Sequence, residues 1–413
     1  MQTLKIYNGF FGLLALLIIV AGCNKDVEQF PEIMPPAPHP SPGLATTLAS
    51  NSNYTLYNAI VVKSGMSATL NDSTKTMTMF VPSNAAVKQA ITAMTGGAVP
   101  AGSPDAVYMG FINSANFTQE TAKAIVQYNT APDKIDYAAL PTTFPNLQYP
   151  SLFNPRPDLS AMLRLTIFPS KTNGNFVNNV PVTSAAITAG NGVMYETGAL
   201  VAPPQRYLWD RISTDANLTY LKAAVERADS GSTAGDPTSS LVAALQSIGA
   251  NLTVFAPTDD AFKATLTGLI YQTLVARGVP PATAMAQATA LASTTGVFTN
   301  PALATVLTTK NVRGVVAYHL LGRRAFLNNL PTTEANFPTV LNSSAEAANH
   351  PGVGLKVTMT GLMAASATVK GTVNATAANV AVNPTPEPGG SSDQHYLNGV
   401  LHKINQVLLP MNL

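Results

Sequence analysis

The stretch "TVFAPTDDAF", residues 253–262, is the one on which the fold turns. Its first residues alternate as a strand does, and Pro257 ends ladder pairing because it has no N–H to give. Thr258, Asp259 and Asp260 then stand where a helix begins. A side-chain oxygen there accepts from the orphan amides of the first turn, and acidic groups sit at the positive end of the helix dipole. The reading is strand, corner, helix. Asp259 and Asp260 also have the form of a catalytic carboxylate pair, and the rest of the chain decides between the two.

An earlier stretch carries the same corner without the pair. "MTMFVPSNAAV", residues 77–87, lays Phe80, Val81, Pro82, Ser83 and Asn84 against Phe255, Ala256, Pro257, Thr258 and Asp259. Three more blocks repeat. Residues 53–56, "NYTL", lie against 217–220, "NLTY", and "AIVQYN" at 124–129 against "GVVAYH" at 314–319. "NGVMYETGALVAPP" from Asn191 lies against "NGVLHKINQVLLPM" from Asn398. The blocks keep one order while their spacing grows from 164 residues (53 to 217) to 207 (191 to 398). Two copies of one domain follow, the second with longer loops. Asn84 and Ala85 occupy the places of Asp259 and Asp260, so a corner role explains both copies and catalysis only one.

"TVFAPTDDAF", "VVAYHLL" and "NGVLHKINQVLLP" together resemble, in order, the three segments that identify fasciclin-like domains. The first copy is more divergent: Asn129 stands in place of His319, and Met194, Tyr195 and Glu196 in place of Leu401, His402 and Lys403. The resemblance implies an α+β fold of two fasciclin-like domains, each an antiparallel β wedge or sandwich packed with several α-helices. It also implies adhesion through sequence near Tyr318 and His319, although the apolar "VVAYHLL" equally suits two core residues with buried hydrogen-bond partners.

The residues agree with that class. Asn398-Gly399 suits a tight hairpin turn, and residues 394–397, 355–360 and 378–382 read as strands. Residues 280–293 suit a helix begun by proline. Strands gather late in each copy and helices early, as in α+β rather than α/β domains. Residues 229–240, "DSGSTAGDPTSS", read as a mobile loop and 383–394 as an exposed one. A junction falls near residues 203–206, with Trp209 expected at the domain interface. The domains are then 44–205 and 206–413.

A 413-residue chain holds about two or three domains. Its net charge of +2 and 11% charged residues provide no basic surface for nucleic acid. Lys5 precedes the apolar "FFGLLALLIIVAGC", shorter than the roughly 20 residues of a spanning helix, so residues 1–22 read as a signal peptide. Val20-Ala21-Gly22-Cys23 resembles a bacterial lipobox, and Cys23 is the chain's single cysteine. Cys23 is therefore the expected lipid attachment site, and disulfides within the chain are excluded. Several acyl chains would make a permanent membrane anchor. Asn24 after the cysteine favours the outer membrane, and "NKDVE", residues 24–28, resembles charged signals that send lipoproteins to the cell surface. Six prolines between residues 31 and 42 make the rest of 23–43 a polyproline spacer.

The chain shows no phosphate loop, HExxH or G-x-S-x-G elbow, so no catalytic residue, cofactor or metal is expected. The five histidines, at 39, 319, 350, 395 and 402, lack ligand spacing, and only His395 and His402 could meet, across the terminal hairpin. The expected function is non-enzymatic adhesion to an extracellular protein or polysaccharide. The alternative is a surface glycan-capture accessory of an outer-membrane uptake system, for which 7% aromatic residues offer few stacking platforms.

Overall fold

The computed structural model describes residues 41–411. The expected signal peptide, Cys23 and nearly all of the spacer lie outside the described residues. The first copy runs α1 (Thr55–Ser64), β1 (Met77–Pro82), α2 (Asn84–Met94), α3 (Gln119–Tyr128) and β2 (Thr130–Ala131). It closes with β3 (Ile187–Ala189) and β4 (Gly192–Thr197). The second runs α4 (Thr219–Ala228), β5 (Leu252–Pro257), α5 (Asp259–Ala276), α6 (Pro281–Ala292), α7 (Thr309–Tyr318) and β6 (Leu320–Leu321). After the hairpin β7 (Val353–Thr360) and β8 (Met363–Lys370), it ends in β9 (Gln394–Tyr396) and β10 (Gly399–Ile404).

The sheets superpose in order, β2-β1-β4-β3 and β6-β5-β10-β9. The α+β class holds, with one difference from an all-antiparallel wedge. The central pairs β1–β4 and β5–β10 run parallel, in registers Met77↔Gly192 and Leu252↔Gly399. Alternation marks a strand's faces, not its neighbour's direction, so the pattern did not reveal this.

Both faces of each central strand are covered. Met77, Met79 and Val81 pack with the helices, Phe80 on the far side with Tyr128 and Tyr195. Leu252, Val254 and Ala256 repeat the helix-side set, and Phe255 joins Tyr318 and Ile404 opposite. Each of the larger side chains among them contributes roughly 1.5–3 kcal/mol by leaving water. The polar exceptions match as well. The Thr78 hydroxyl donates to the Asp133 carbonyl (2.7 Å) and accepts from Ile135 N–H; Thr253 does the same with Arg323 (2.6 Å) and Ala325.

Two local expectations change. Tyr396 pairs with Gly399, so the hairpin loop is Leu397-Asn398, one residue earlier than the Asn-Gly reading placed it. Gly399 instead serves close approach: a Cβ there would lie 2.4 Å from the Leu252 carbonyl oxygen, and one at Gly192 only 1.9 Å from that of Met77. Trp209 packs against the second copy's own helix-side core rather than at an interface. The 229–240 loop is closed by Asp229, whose carboxylate accepts from the Ser240 hydroxyl and from Leu241 and Val242 N–H at 2.7–2.8 Å. The predicted helix at 280–293 appears as α6, with Pro281 in its first turn and Ala284, Ala288 and Ala292 buried on one face.

Candidate functional site

Thr258 and Asp259 divide the capping work. Thr258 caps its own helix, accepting from Ala261 N–H at 3.4 Å, while Asp259 caps the neighbour α4 through Tyr220 N–H (3.0 Å) and the Thr219 hydroxyl (2.6 Å). The first copy repeats this with Ser83 on Ala86 N–H and Asn84 on Leu56 N–H. Asp260, its side chain 95% exposed, reaches only toward Lys263 at 3.8 Å. One carboxylate is structural and the other solvated, so they do not form a pair.

Tyr318 and His319 are both placed inside, at 0% and 1% exposure. The Tyr318 hydroxyl donates to the Gly352 carbonyl (2.6 Å) and accepts from Thr372 N–H (3.0 Å). His319 ends α7: Nδ1–H donates to the Val315 carbonyl at 2.7 Å, leaving Nε2 to accept from Leu408 N–H at 2.8 Å. The imidazole thus ties the helix end to the chain following β10. Asn129 makes the corresponding tie in the first copy, its Nδ2 donating to the Ile125 (2.9 Å) and Val201 (2.8 Å) carbonyls. A small apolar cavity of about 40 Å³ lies beside His319, room for a few waters at most.

The Asn of each Asn-Gly is a buried bracket. Asn191 accepts from Leu44 N–H and donates to the Leu70 and Asp72 carbonyls; Asn398 accepts from Leu208 N–H and donates to the Leu245 carbonyl. His402 is likewise spent, accepting from Asp393 N–H on Nδ1 (3.1 Å) and donating to the Ala325 carbonyl from Nε2 (2.8 Å). His395 meets Arg324 instead, so the two histidines do not face one another as a metal pair.

Polar groups converge at the seam between the copies. Buried Arg324 donates from Nε to Asn251 Oδ1 (3.0 Å), from Nη1 to His395 Nε2 and the Tyr396 carbonyl, and from Nη2 to the Leu397 carbonyl (2.7 Å). Its guanidinium lies 5.2 Å above the Phe168 ring of the first copy. Phe168 packs on Phe326 and Val400, and Phe144 meets Phe337 edge to face at 5.0 Å. Asn173 donates across the seam to the Asn328 (2.8 Å) and Leu330 (2.9 Å) carbonyls, and Asn328 back to that of Asn178. At its rim the seam opens into a cavity of about 520 Å³ lined by both copies, the linker between them and the 384–396 segment.

The fasciclin domain model matches residues 52–201 and 232–410, most of the chain. The chain belongs to the fasciclin-domain family. Each matched stretch falls within one of the domains expected at 44–205 and 206–413. A solved pair of fasciclin domains from the insect cell adhesion molecule fasciclin I is similar at 12% identity, over 87% of this chain and 98% of that one, with a TM-score of 0.32. No match was found among curated proteins.

Burial dominates the titration of the second fasciclin domain. It lowers His319 and His402 to about 4, where the carbonyl bonds to Val315 and Ala325 pull the other way, and lowers His395 well below the usual range with help from Arg324. It raises the Asp393 carboxyl to about 7 against the opposing Leu327 N–H bond. Arg324 falls to about 10, still cationic at neutral pH. The Asp393 Oδ1 to His402 Nδ1 distance of 4.0 Å is not an ion pair, because Nδ1 already accepts a hydrogen bond and the ring is neutral. Sequence reading missed Arg324 and Asp393 because neither lies in a repeated block; an arginine and an aspartate among apolar strand ends were the available signal.

Proposed function

We propose that the chain is a non-enzymatic, lipid-anchored envelope protein whose two fasciclin domains adhere to an extracellular protein or polysaccharide. Fasciclin domains are typically adhesion or binding modules, and two of them fill most of the chain. The observation that carries the reading is the duplication of duty. Asp259 and Asn84, His319 and Asn129, Asn398 and Asn191 all make internal bonds at matching places, Asn129 through Nδ2 alone. Tyr318 and His319 belong to the frame that holds the end of α7 against the chain after β10, and the ligand meets other parts of the surface. Lys5, the apolar run and Val20-Ala21-Gly22-Cys23 support attachment through Cys23 at a bacterial outer membrane, facing the cell surface.

Two experiments test this. Labelling with a radioactive fatty acid tags the wild-type chain and not Cys23→Ser; equal labelling of both removes the anchor from the account. The full chain in detergent, applied to arrays of glycans and extracellular proteins, binds saturably to a member of one class; silence on both arrays overturns the binding role. The cleft at the seam favours the second reading, glycan capture, by offering a concave site of small-molecule size.

A further inference from the structure

The cleft between the fasciclin domains has a volume of about 520 Å³, within the roughly 300–1,000 Å³ usual for small-ligand sites. Its chemistry can be read from two residues on the floor. Arg324 has only N–H donors, so the nitrogen it meets, His395 Nε2, is the acceptor and the ring proton sits on Nδ1. Among the described residues Nδ1–H has no partner, and His395 lines the cleft. Two positions earlier, Asp393 lines it too. Its side chain is 8% exposed, and Oδ1 accepts from Leu327 N–H at 2.8 Å, while Oδ2 has no hydrogen-bond partner among the described residues. Both atoms keep some contact with solvent, so water fills these bonds in the open cleft and a ligand hydroxyl can take its place.

The surroundings narrow the class. Val180, Pro203, Pro204, Pro384 and Pro386 supply apolar C–H walls, and the Asn179 and Gln205 carboxamides stand at the rim. Glu387, the other carboxylate of the cleft, is matched by Arg206 at 2.6 Å. An anionic ligand therefore meets a carboxyl group and no unmatched cation. A metal ion meets one free carboxyl oxygen and an N–H that cannot ligate. A neutral polyol fits both features: one hydroxyl donates to Asp393 Oδ2, an adjacent hydroxyl oxygen accepts from His395 Nδ1–H, and the C–H face of a sugar ring lies on the proline wall.

We propose that this cleft binds a mono- or disaccharide through a vicinal diol held by Asp393 and His395. The proposal rests on the reading of the chain as a binding module and names the ligand class of its site. The test is calorimetric titration of the full chain in detergent with glucose, galactose, mannose, N-acetylglucosamine, maltose and chitobiose. It is repeated on Asp393→Asn, which keeps the acceptor for Leu327 N–H and replaces Oδ2, and on Ala202→Trp, which fills the cleft from an exposed rim position. Saturable binding of a sugar, weakened about tenfold or more by both substitutions with neither melting temperature lowered, is the expected result. Sugar binding untouched by either variant overturns the cleft and leaves the binding module standing. Array binding to proteins alone, with no sugar bound in solution, does the same. Silence in every format removes both.

Discussion

At the scale of single residues, the atoms that looked chemically active have structural employment. His319→Ala opens a cavity and strands Leu408 N–H, costing about 2–4 kcal/mol in urea unfolding; a loss under about 0.5 kcal/mol would contradict the tie described for it. Asp259→Ala removes the cap of α4 and costs about 1–2 kcal/mol, whereas Asp260→Ala is within about 0.5 kcal/mol of neutral. Equal effects would revive the carboxylate pair. The imidazoles also set a pH dependence. His319 and His402 fall from 6.5 to about 4 on folding, so the native state binds fewer protons than the unfolded chain between those values. Their stability is full above about 6.5 and lost as pH falls through about 4, on the order of 3 kcal/mol for each ring. Asp393, raised from 3.8 to about 7, acts with the opposite sign, its contribution being present at low pH and lost as pH rises toward 7. Unfolding midpoints measured between pH 4 and 7 therefore rise with pH, and rise more steeply in Asp393→Asn.

At the scale of elements, the repeated corner and the repeated Asn-Gly were legible because each motif's partners recur at matching places: Leu44 and Leu208 on the asparagines, Leu56 and Tyr220 on the corner residues. The parallel run of β1–β4 and β5–β10 was not, since period-two alternation is blind to strand direction. Its signature lay in the glycines. A Cβ at Gly399 would meet the Leu252 carbonyl oxygen at 2.4 Å and Leu208 Cδ1 at 2.5 Å. Gly399→Ala accordingly forces β5 and β10 apart and costs about 2 kcal/mol or more in denaturant unfolding. A neutral effect would mean that the central pair tolerates a wider spacing.

At the scale of the whole molecule, the two domains are joined by a seam that sequence reading did not see. Phe168, Asn173 and Asn178 of one copy meet Phe326, Asn328 and Leu330 of the other through segments with neither repeat nor periodicity. Arg324 stands under it, bonded within the second domain to Asn251, His395 and the Tyr396 and Leu397 carbonyls and touching the first domain through the Phe168 ring, so its removal leaves several acceptors unfilled beneath the seam. The seam predicts a single cooperative calorimetric transition for the wild type, lowered or split in Arg324→Ala; two independent transitions in the wild type would contradict the seam. The central claim is that the fasciclin motif residues form an internal frame and that recognition happens elsewhere on the molecule. The most direct measurement is array binding of wild type against His319→Asn, which introduces the residue found at the same place in the first domain. Binding retained by a folded His319→Asn is the predicted result, and binding lost while its melting temperature matches wild type would contradict the claim.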